Sequence, residues 1–297
     1  MNKYNLKQNR CNVPLFVHVE ITERCPLKCP QCYCDYVTGN DMDFNLYSKL
    51  VSQITEMGID SVLLTGGEPL IYPNIFNAIM LLKENNITVS IASSGYGIDR
   101  QFAKKLKEIG TDEIFISLNG SNHNIHNLSR DKFEVSIHAI KTLKSEGMWC
   151  GVNWVARRDN LQDFDNLVAL CQEMHVDHID ILSSKNNSNG ENNSLTNEEL
   201  KFLANKISLE YSSLFKKGYI GIDLCYHKLN YLLGQSHPLL QKCIAGRYFF
   251  DILTTGEVSP CRHLGYKTKS DFISDYWNND VLLCKIRHNS HCQGCDD

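Results

Sequence analysis

Four cysteines fall within ten residues in CPLKCPQCYC, positions 25 to 34, and Pro26 and Pro30 keep a regular helix from running through them. Three of them, Cys25, Cys29 and Cys32, are spaced C-x3-C-x2-C. Thiolates on one tight loop can each bind a separate iron of a [4Fe–4S] cubane, and three of them leave the fourth iron open to a ligand. Zinc is the competing occupant, with Cys34 as a fourth sulfur, although sulfur-bound zinc usually takes two separated C-x2-C arms. Further along, TGGEPL at 65 to 70 sets Gly66 beside Gly67, where amides and carbonyls free of side chains can approach a small polar molecule. Taken alone, that turn is an ordinary end to a strand.

A second group of thiols lies in the tail. Cys243 and Cys261 flank the run RYFFDILTTGEVSP, which reads as a β-hairpin turning at Gly256, and the sequence closes with Cys292-Gln-Gly-Cys295. These four thiols can converge on one metal, with a zinc knuckle using His263, His288 or His291 as the alternative. Thirteen cysteines in a reducing compartment are poorly explained as disulfides, so metal ligation or thiol chemistry is the expected use. Cys11, Cys34, Cys150 and Cys171 are expected to be packing residues, and Cys284 has no assigned role.

Such groups need a scaffold, and residues 15 to 184 carry the pattern of one. Six β-like runs, FVHVEIT, SVLLT, ITVSIASS, EIFISLN, WCGVNWVA and HIDILSS, alternate with amphipathic helical stretches at 44–57, 74–84, 99–109, 132–146 and 161–174. In the first helix Leu46, Leu50, Val51, Ile54 and Met57 share a face, and Gly58, Gly110 and Gly147 stand at expected helix stops. Within the strands polar residues recur at every second position: His18, Glu20 and Thr22; Ser90 and Ser94; Ser117 and Asn119; Gly151 and Asn153; His178 and Asp180. A closed eight-stranded barrel packs its lumen with branched apolar side chains, so six strands with a polar inner face predict an open, partial barrel around a binding cleft. A doubly wound sheet is the alternative that periodicity alone leaves open. His18, Glu20, Arg130, Asn153 and Asp180 are candidate cleft residues.

The Asn/Ser/Gly-rich tract SSKNNSNGENN, 184 to 194, reads as a loop and hinge. Thr196 and Glu199 form a capping box for a helix expected to reach about Lys217, and YIGIDLCY then reads as a strand with Asp223 and Cys225 on one face. A net charge of −4 with no basic run argues against a nucleic-acid partner. The sequence has neither a signal-peptide layout nor a spanning segment, so a cytoplasmic protein with no membrane partner is expected.

With CPLKCPQC after the first strand, GGEP at 66–69, SSG at 93–95 and SLNG at 117–120, the sequence resembles the radical SAM superfamily over most of its length. The resemblance implies that Cys25, Cys29 and Cys32 hold a [4Fe–4S] cluster whose open iron chelates the amino and carboxyl groups of S-adenosylmethionine. It places the strand end Gly66, Gly67 and Glu68 at the cofactor's amino group and Ser94 and Asn119 near its ribose, with Ser117 and Arg130 as further cofactor-binding candidates. Two positions depart from the family pattern: Gln31 stands where an aromatic residue is usual, with Tyr33 close by, and Asn119 where Asp is common. The tail, C-x12-G-x4-C and then C-x2-C, resembles the twitch domain, a shortened relative of the SPASM extension. That likeness implies a second, auxiliary [4Fe–4S] cluster on Cys243, Cys261, Cys292 and Cys295, with no open iron and a role in electron transfer. The expected architecture is α/β: a lead segment at 1–14, a partial (β/α)6 barrel at 15–217 and a small twitch-type iron–sulfur domain at 218–297.

The resemblance further implies reductive cleavage of S-adenosylmethionine to a 5′-deoxyadenosyl radical, which takes a hydrogen atom from a substrate C–H bond. The expected substrate is a ribosomally made peptide that is crosslinked, given a thioether or epimerised, with Cys225 as a candidate hydrogen-atom donor. The alternative is oxidation of a small-molecule alcohol, as in twitch-type dehydrogenases of natural-product pathways. A flavodoxin- or ferredoxin-type reductant is an expected partner, and, since few residues precede the barrel, any leader is expected to be read by the barrel surface or by a separate leader-binding protein.

Overall fold

The computed structural model describes residues 4–5, 10–34, 39–235 and 243–288. A short antiparallel ribbon, β1 (Tyr4–Asn5) with β2 (Arg10–Cys11), precedes the main sheet. Six strands then follow as expected: β3 (Phe16–Thr22), β4 (Ser61–Gly66), β5 (Thr88–Ser93), β6 (Glu113–Ser117), β7 (Cys150–Ala156) and β8 (His178–Ser183). They pair in parallel in chain order. A doubly wound sheet requires a reversal of strand order. None occurs here, so successive right-handed crossovers all fall on one side and leave the other face of the sheet as a lumen.

The helices that cover the outer face are α1 (Phe44–Glu56), α2 (Ile75–Glu84), α3 (Arg100–Glu108), α5 (Phe133–Ser145) and α6 (Phe164–Glu173), while the short α4 (His123–His126) follows β6 at the rim, its His126 accepting from the Asn119 amide. Asp43 caps α1 by accepting from the Leu46 amide, and Asp99 does the same for α3 through Phe102. Tyr47, Leu50, Val51 and Ile54 of α1 turn inward and are buried in the same apolar core as Val17, Val19 and Ile21 of β3. Burial of each such aliphatic side chain contributes about 1.5–3 kcal/mol, which fixes the register and commits the intervening positions to the lumen. Neighbouring strands then bring polar residues side by side: Glu20 beside Thr65, and Asn153 between Ser117 and Asp180.

Beyond β8 the chain departs from the expectation in two places. The capping box of Thr196 and Glu199 starts α7 (Asn197–Leu209) as expected, but the helix stops there and a short α8 (Ser212–Lys216) follows. The strand expected over 219–226 is only β9 (Ile220–Ile222), parallel to β8. Asp223 and Cys225 lie in the turn after it, because the Asp223 carboxylate caps the Cys225 amide at 3.0 Å and its carbonyl accepts from Tyr226. The chain continues through α9 (His227–Leu232).

The expected hairpin is present as β10 (Phe249–Ile252) and β11 (Val258–Ser259), with Gly256 in its turn. Its first strand pairs in parallel with β3, setting Asp251 beside His18, so among the described residues the sheet has nine strands in the order β11-β10-β3-β4-β5-β6-β7-β8-β9. Two helices, α10 (Ile273–Asn279) and α11 (Val281–His288), end the described chain. No helix among the described residues is long and apolar enough to cross a membrane.

Candidate active site

Chain direction decides where the chemistry gathers, since all strands from β3 to β9 end at the same rim. The cysteine loop leaves β3 there, and the Gly66-Gly67-Glu68 turn leaves β4 beside it. The Gly67 amide donates to the Thr22 carbonyl and the Glu68 amide to that of Arg24. A Cβ on Gly66 would overlap the Thr22 carbonyl, one on Gly67 that of Arg24, and Gly66 has φ of +144°, which other residues avoid. Two glycines are therefore what lets this turn pack against the base of the thiol loop. The Glu68 side chain then ties the turn to β5: it accepts from the Leu70 amide, the Ser93 hydroxyl, and both the amide and the hydroxyl of Ser94. Burial raises its pKa, and these hydrogen bonds oppose the shift.

Inside the rim is a cavity of about 280 Å³ lined by Cys25, Cys29, Cys32 and Cys34 on one side. Gly66, Gly67, Glu68, Ser94, Ser117 and Arg130 line it as well. Asn119 does not: it is fully buried, and its side chain accepts from the Val155 amide and donates to Gln31 and Ser129. The Cys32 pKa is lowered to about 6, chiefly by a hydrogen bond from Cys34, with burial opposing the shift and the Arg130 charge adding to it. Cys25 moves the other way, to about 11, through burial. The Arg130 Nε is buried with no partner, and the Ser183 hydroxyl is in the same state on the same wall. Among the described residues no three His, Cys, Asp or Glu side chains stand close enough to hold one metal ion. Three thiols of one loop lining a cavity, with no three ligands gathered on one point, suit a cubane, in which each meets a separate iron, better than a single zinc ion.

A second cavity, of about 250 Å³, lies between the lumen and the C-terminal hairpin. The two share Tyr33, Thr65, Gly66, Lys185, Asp223 and His263 as a common wall. Cys225, Cys243 and Cys261 line the second cavity; Cys292, Cys295 and His291 lie outside the described residues. His18 and Glu20 also reach it, whereas Asn153 lines the first cavity. Burial, with Asp223 and the two neighbouring thiols, raises the Cys225 pKa well above its ordinary value and keeps it a thiol. Burial and the nearby Asp223 carboxylate also raise the Asp180 pKa above its ordinary value. The His263 ring tilts against that of Tyr33, 4.4 Å between centroids. Cys284 sits on α11, its carbonyl against His288.

The place of several wall residues in the cavities was not legible in the sequence. Tyr33 and Lys185 come from irregular segments and His263 from a 3-10 turn (Arg262–Leu264), where no periodicity marks a face. The buried Ser183 hydroxyl had only its place at a strand end to announce it.

The family model described as the radical SAM superfamily matches residues 19–171, just over half of the chain. The chain belongs to the radical SAM superfamily. Its fold is also that of solved members with low sequence identity. Against SuiB of Streptococcus suis bound to precursor peptide SuiA, the TM-score is 0.81 at 19% identity, covering 98% of this chain and 71% of that one. Against native anSMEcpe with bound AdoMet it is 0.74 at 20% identity, covering 92% and 82%. BtrN in complex with AdoMet and 2-DOIA matches with a TM-score of 0.51 at 14% identity, covering 96% and 93%. Radical SAM membership implies S-adenosylmethionine and a [4Fe–4S] cluster. The first cavity fits that pair: thiols suited to a cubane on one side, the two-glycine turn beside them, and the unpartnered Arg130 Nε placed for an anionic group such as the cofactor's carboxylate.

Proposed function

We propose that this radical SAM enzyme takes a hydrogen atom from a residue of a ribosomally made peptide, and that the Cys225 thiol returns one, so that the product is an epimerised residue. The observation that carries the reading is the shared wall: the cavity holding Cys225 abuts the cavity of the cysteine loop across Thr65, Gly66 and Asp223. Cys25, Cys29 and Cys32 would hold the cluster, and Gly66 to Glu68, Ser94, Ser117 and Arg130 the S-adenosylmethionine. When bound and reduced by one electron, this pair supplies a 5′-deoxyadenosyl radical for hydrogen abstraction.

The chain's own part is to hold one C–H at the shared wall and to keep water away from it. Cys225, held as a thiol, gives its hydrogen atom to the substrate carbon radical from the other cavity. The thiyl that remains takes one electron and one proton to become a thiol again. A flavodoxin- or ferredoxin-type protein is the electron source in this reading, by way of an auxiliary cluster on Cys243, Cys261, Cys292 and Cys295. Structural neighbours crystallised with peptides support a peptide substrate over a small alcohol.

The test is anaerobic incubation of the reconstituted protein in D2O with S-adenosylmethionine, dithionite and a ribosomal precursor peptide, sought among short open reading frames next to its gene. The expected result is 5′-deoxyadenosine together with a peptide carrying one solvent deuteron at the modified carbon. Cys225→Ala should still form 5′-deoxyadenosine but leave the peptide unlabelled. No 5′-deoxyadenosine above background would reject catalysis, whereas a peptide lighter by two hydrogens and free of deuterium would replace epimerisation with crosslinking.

A further inference from the structure

The two positions that depart from the family pattern are bonded to each other. Asn119 Nδ2 donates to Gln31 Oε1 at 2.8 Å, joining the end of β6 to the residue before the third loop cysteine. The direction of that bond is imposed from the core. The Val155 amide can only donate, and it takes Asn119 Oδ1 at 3.1 Å, so the other end of the Asn119 amide must be its NH2 group. That group faces both Ser129 Oγ, at 2.8 Å, and Gln31. Gln31 must therefore turn its carbonyl oxygen inward, which leaves its own NH2 as the end of the amide that meets the cysteine-loop cavity.

The rest of the surroundings holds this arrangement in place. The Gln31 amide nitrogen donates to the Ser129 carbonyl at 3.0 Å, the Asn119 amide nitrogen to His126 Nδ1, and Asn160 Nδ2 to the Asn119 carbonyl. Asn119 is fully buried, so water does not compete for its amide.

We infer that Gln31 is a cofactor-binding residue: its NH2 group donates a hydrogen bond to an acceptor on bound S-adenosylmethionine, and Asn119 is the positioning residue that sets its polarity. A usual aromatic side chain at this place offers a ring face; here the chain offers a directed donor. The inference rests on the radical SAM cofactor and is independent of which substrate the enzyme modifies.

The test uses the anaerobically reconstituted protein, with equilibrium binding of S-adenosylmethionine as the readout and thermal melting as the control for folding. Gln31→Glu keeps an acceptor for Asn119 but turns an oxygen to the cavity, so binding should weaken about ten-fold or more while the melting temperature holds. Asn119→Asp should act at a distance in the same direction, because the new carboxylate makes the Gln31 amide turn over and present its oxygen. Separate titrations with 5′-deoxyadenosine and with methionine locate the acceptor: weakened binding of the nucleoside alone places it there, and of methionine alone places it on the amino acid, either result supporting the donor. S-adenosylmethionine binding within about two-fold of the parent in both Gln31→Glu and Asn119→Asp would overturn the inference.

Discussion

Arg262 and Glu20 meet inside the barrel. The guanidinium on the turn after Cys261 pairs with the carboxylate on the strand that leads into the cysteine loop, and Glu20 is only 2% exposed. The same arginine donates its amide to Asp251 at 2.7 Å and reaches Cys34 Sγ at 3.6 Å, while Asp251 pairs with His18 at 3.0 Å. Burial lowers the Arg262 pKa to about 10, which leaves it fully charged at neutral pH. A single side chain thus links the hairpin's far end to the loop that carries the first thiol group.

Removing one member of that pair leaves a buried charge uncompensated. Arg262→Met should cost about 3–5 kcal/mol in chemical denaturation, and adding Glu20→Gln should recover most of the loss, because the charge that lacked a partner is then gone. If the double variant is as unstable as the single one, the pair contributes through packing and not through charge.

Glu68 gives a second expectation. Both of its oxygens act as acceptors toward β5 and the following turn, so Glu68→Gln places an NH2 group where one pair of donors points. The mismatch should cost about 1–3 kcal/mol and lower the melting temperature. A variant as stable as the parent would mean that Ser93 and Ser94 satisfy themselves elsewhere.

These two cases show where legibility ends. The six strands, the caps at Asp43 and Thr196 and the hairpin at Gly256 follow from local pattern, because periodicity and capping are set by residues close in sequence. The thiols of the cysteine loop announced themselves by spacing. By contrast, the parallel pairing of β10 with β3 joins segments more than two hundred residues apart, and nothing local encodes it. Periodicity also misread Cys225, since an alternating run looks like a strand even where an aspartate carboxylate caps a turn within it. Gln31 and Asn119 were visible only as departures from a pattern; their bond to each other required the fold.

His126 makes stability fall on the acid side. It is fully buried, accepts the Asn119 amide hydrogen at Nδ1 and is lowered to about 4 by burial, with the Arg130 charge adding to the shift. The unfolded chain takes up a proton near the ordinary value of about 6.5 and the folded chain does not, so stability is fully present above that pH and is lost as pH falls toward 4. The slope across this window should approach about 1.4 kcal/mol per pH unit. Urea denaturation of the parent and of His126→Asn checks it: the variant should lack this component, and parallel slopes would show that His126 is already charged in the folded chain.

The cysteine loop gives the most direct test of the cofactor assignment. If Cys25, Cys29 and Cys32 together hold one cubane, changing all three to Ala should remove about four irons and four sulfides per chain from the reconstituted protein. Any share held by the tail cysteines should persist, because Cys243 and Cys261 line the other cavity. S-adenosylmethionine binding should fall with the loop's share, since the open iron goes with it, and the signature of an exchangeable iron in electron paramagnetic resonance should vanish. Restoring the single residue Cys34→Ala to the comparison separates the zinc reading: a four-sulfur zinc site loses metal in that variant, whereas a three-thiolate cubane keeps its iron, with Cys34 contributing only its hydrogen bond to the Cys32 thiolate.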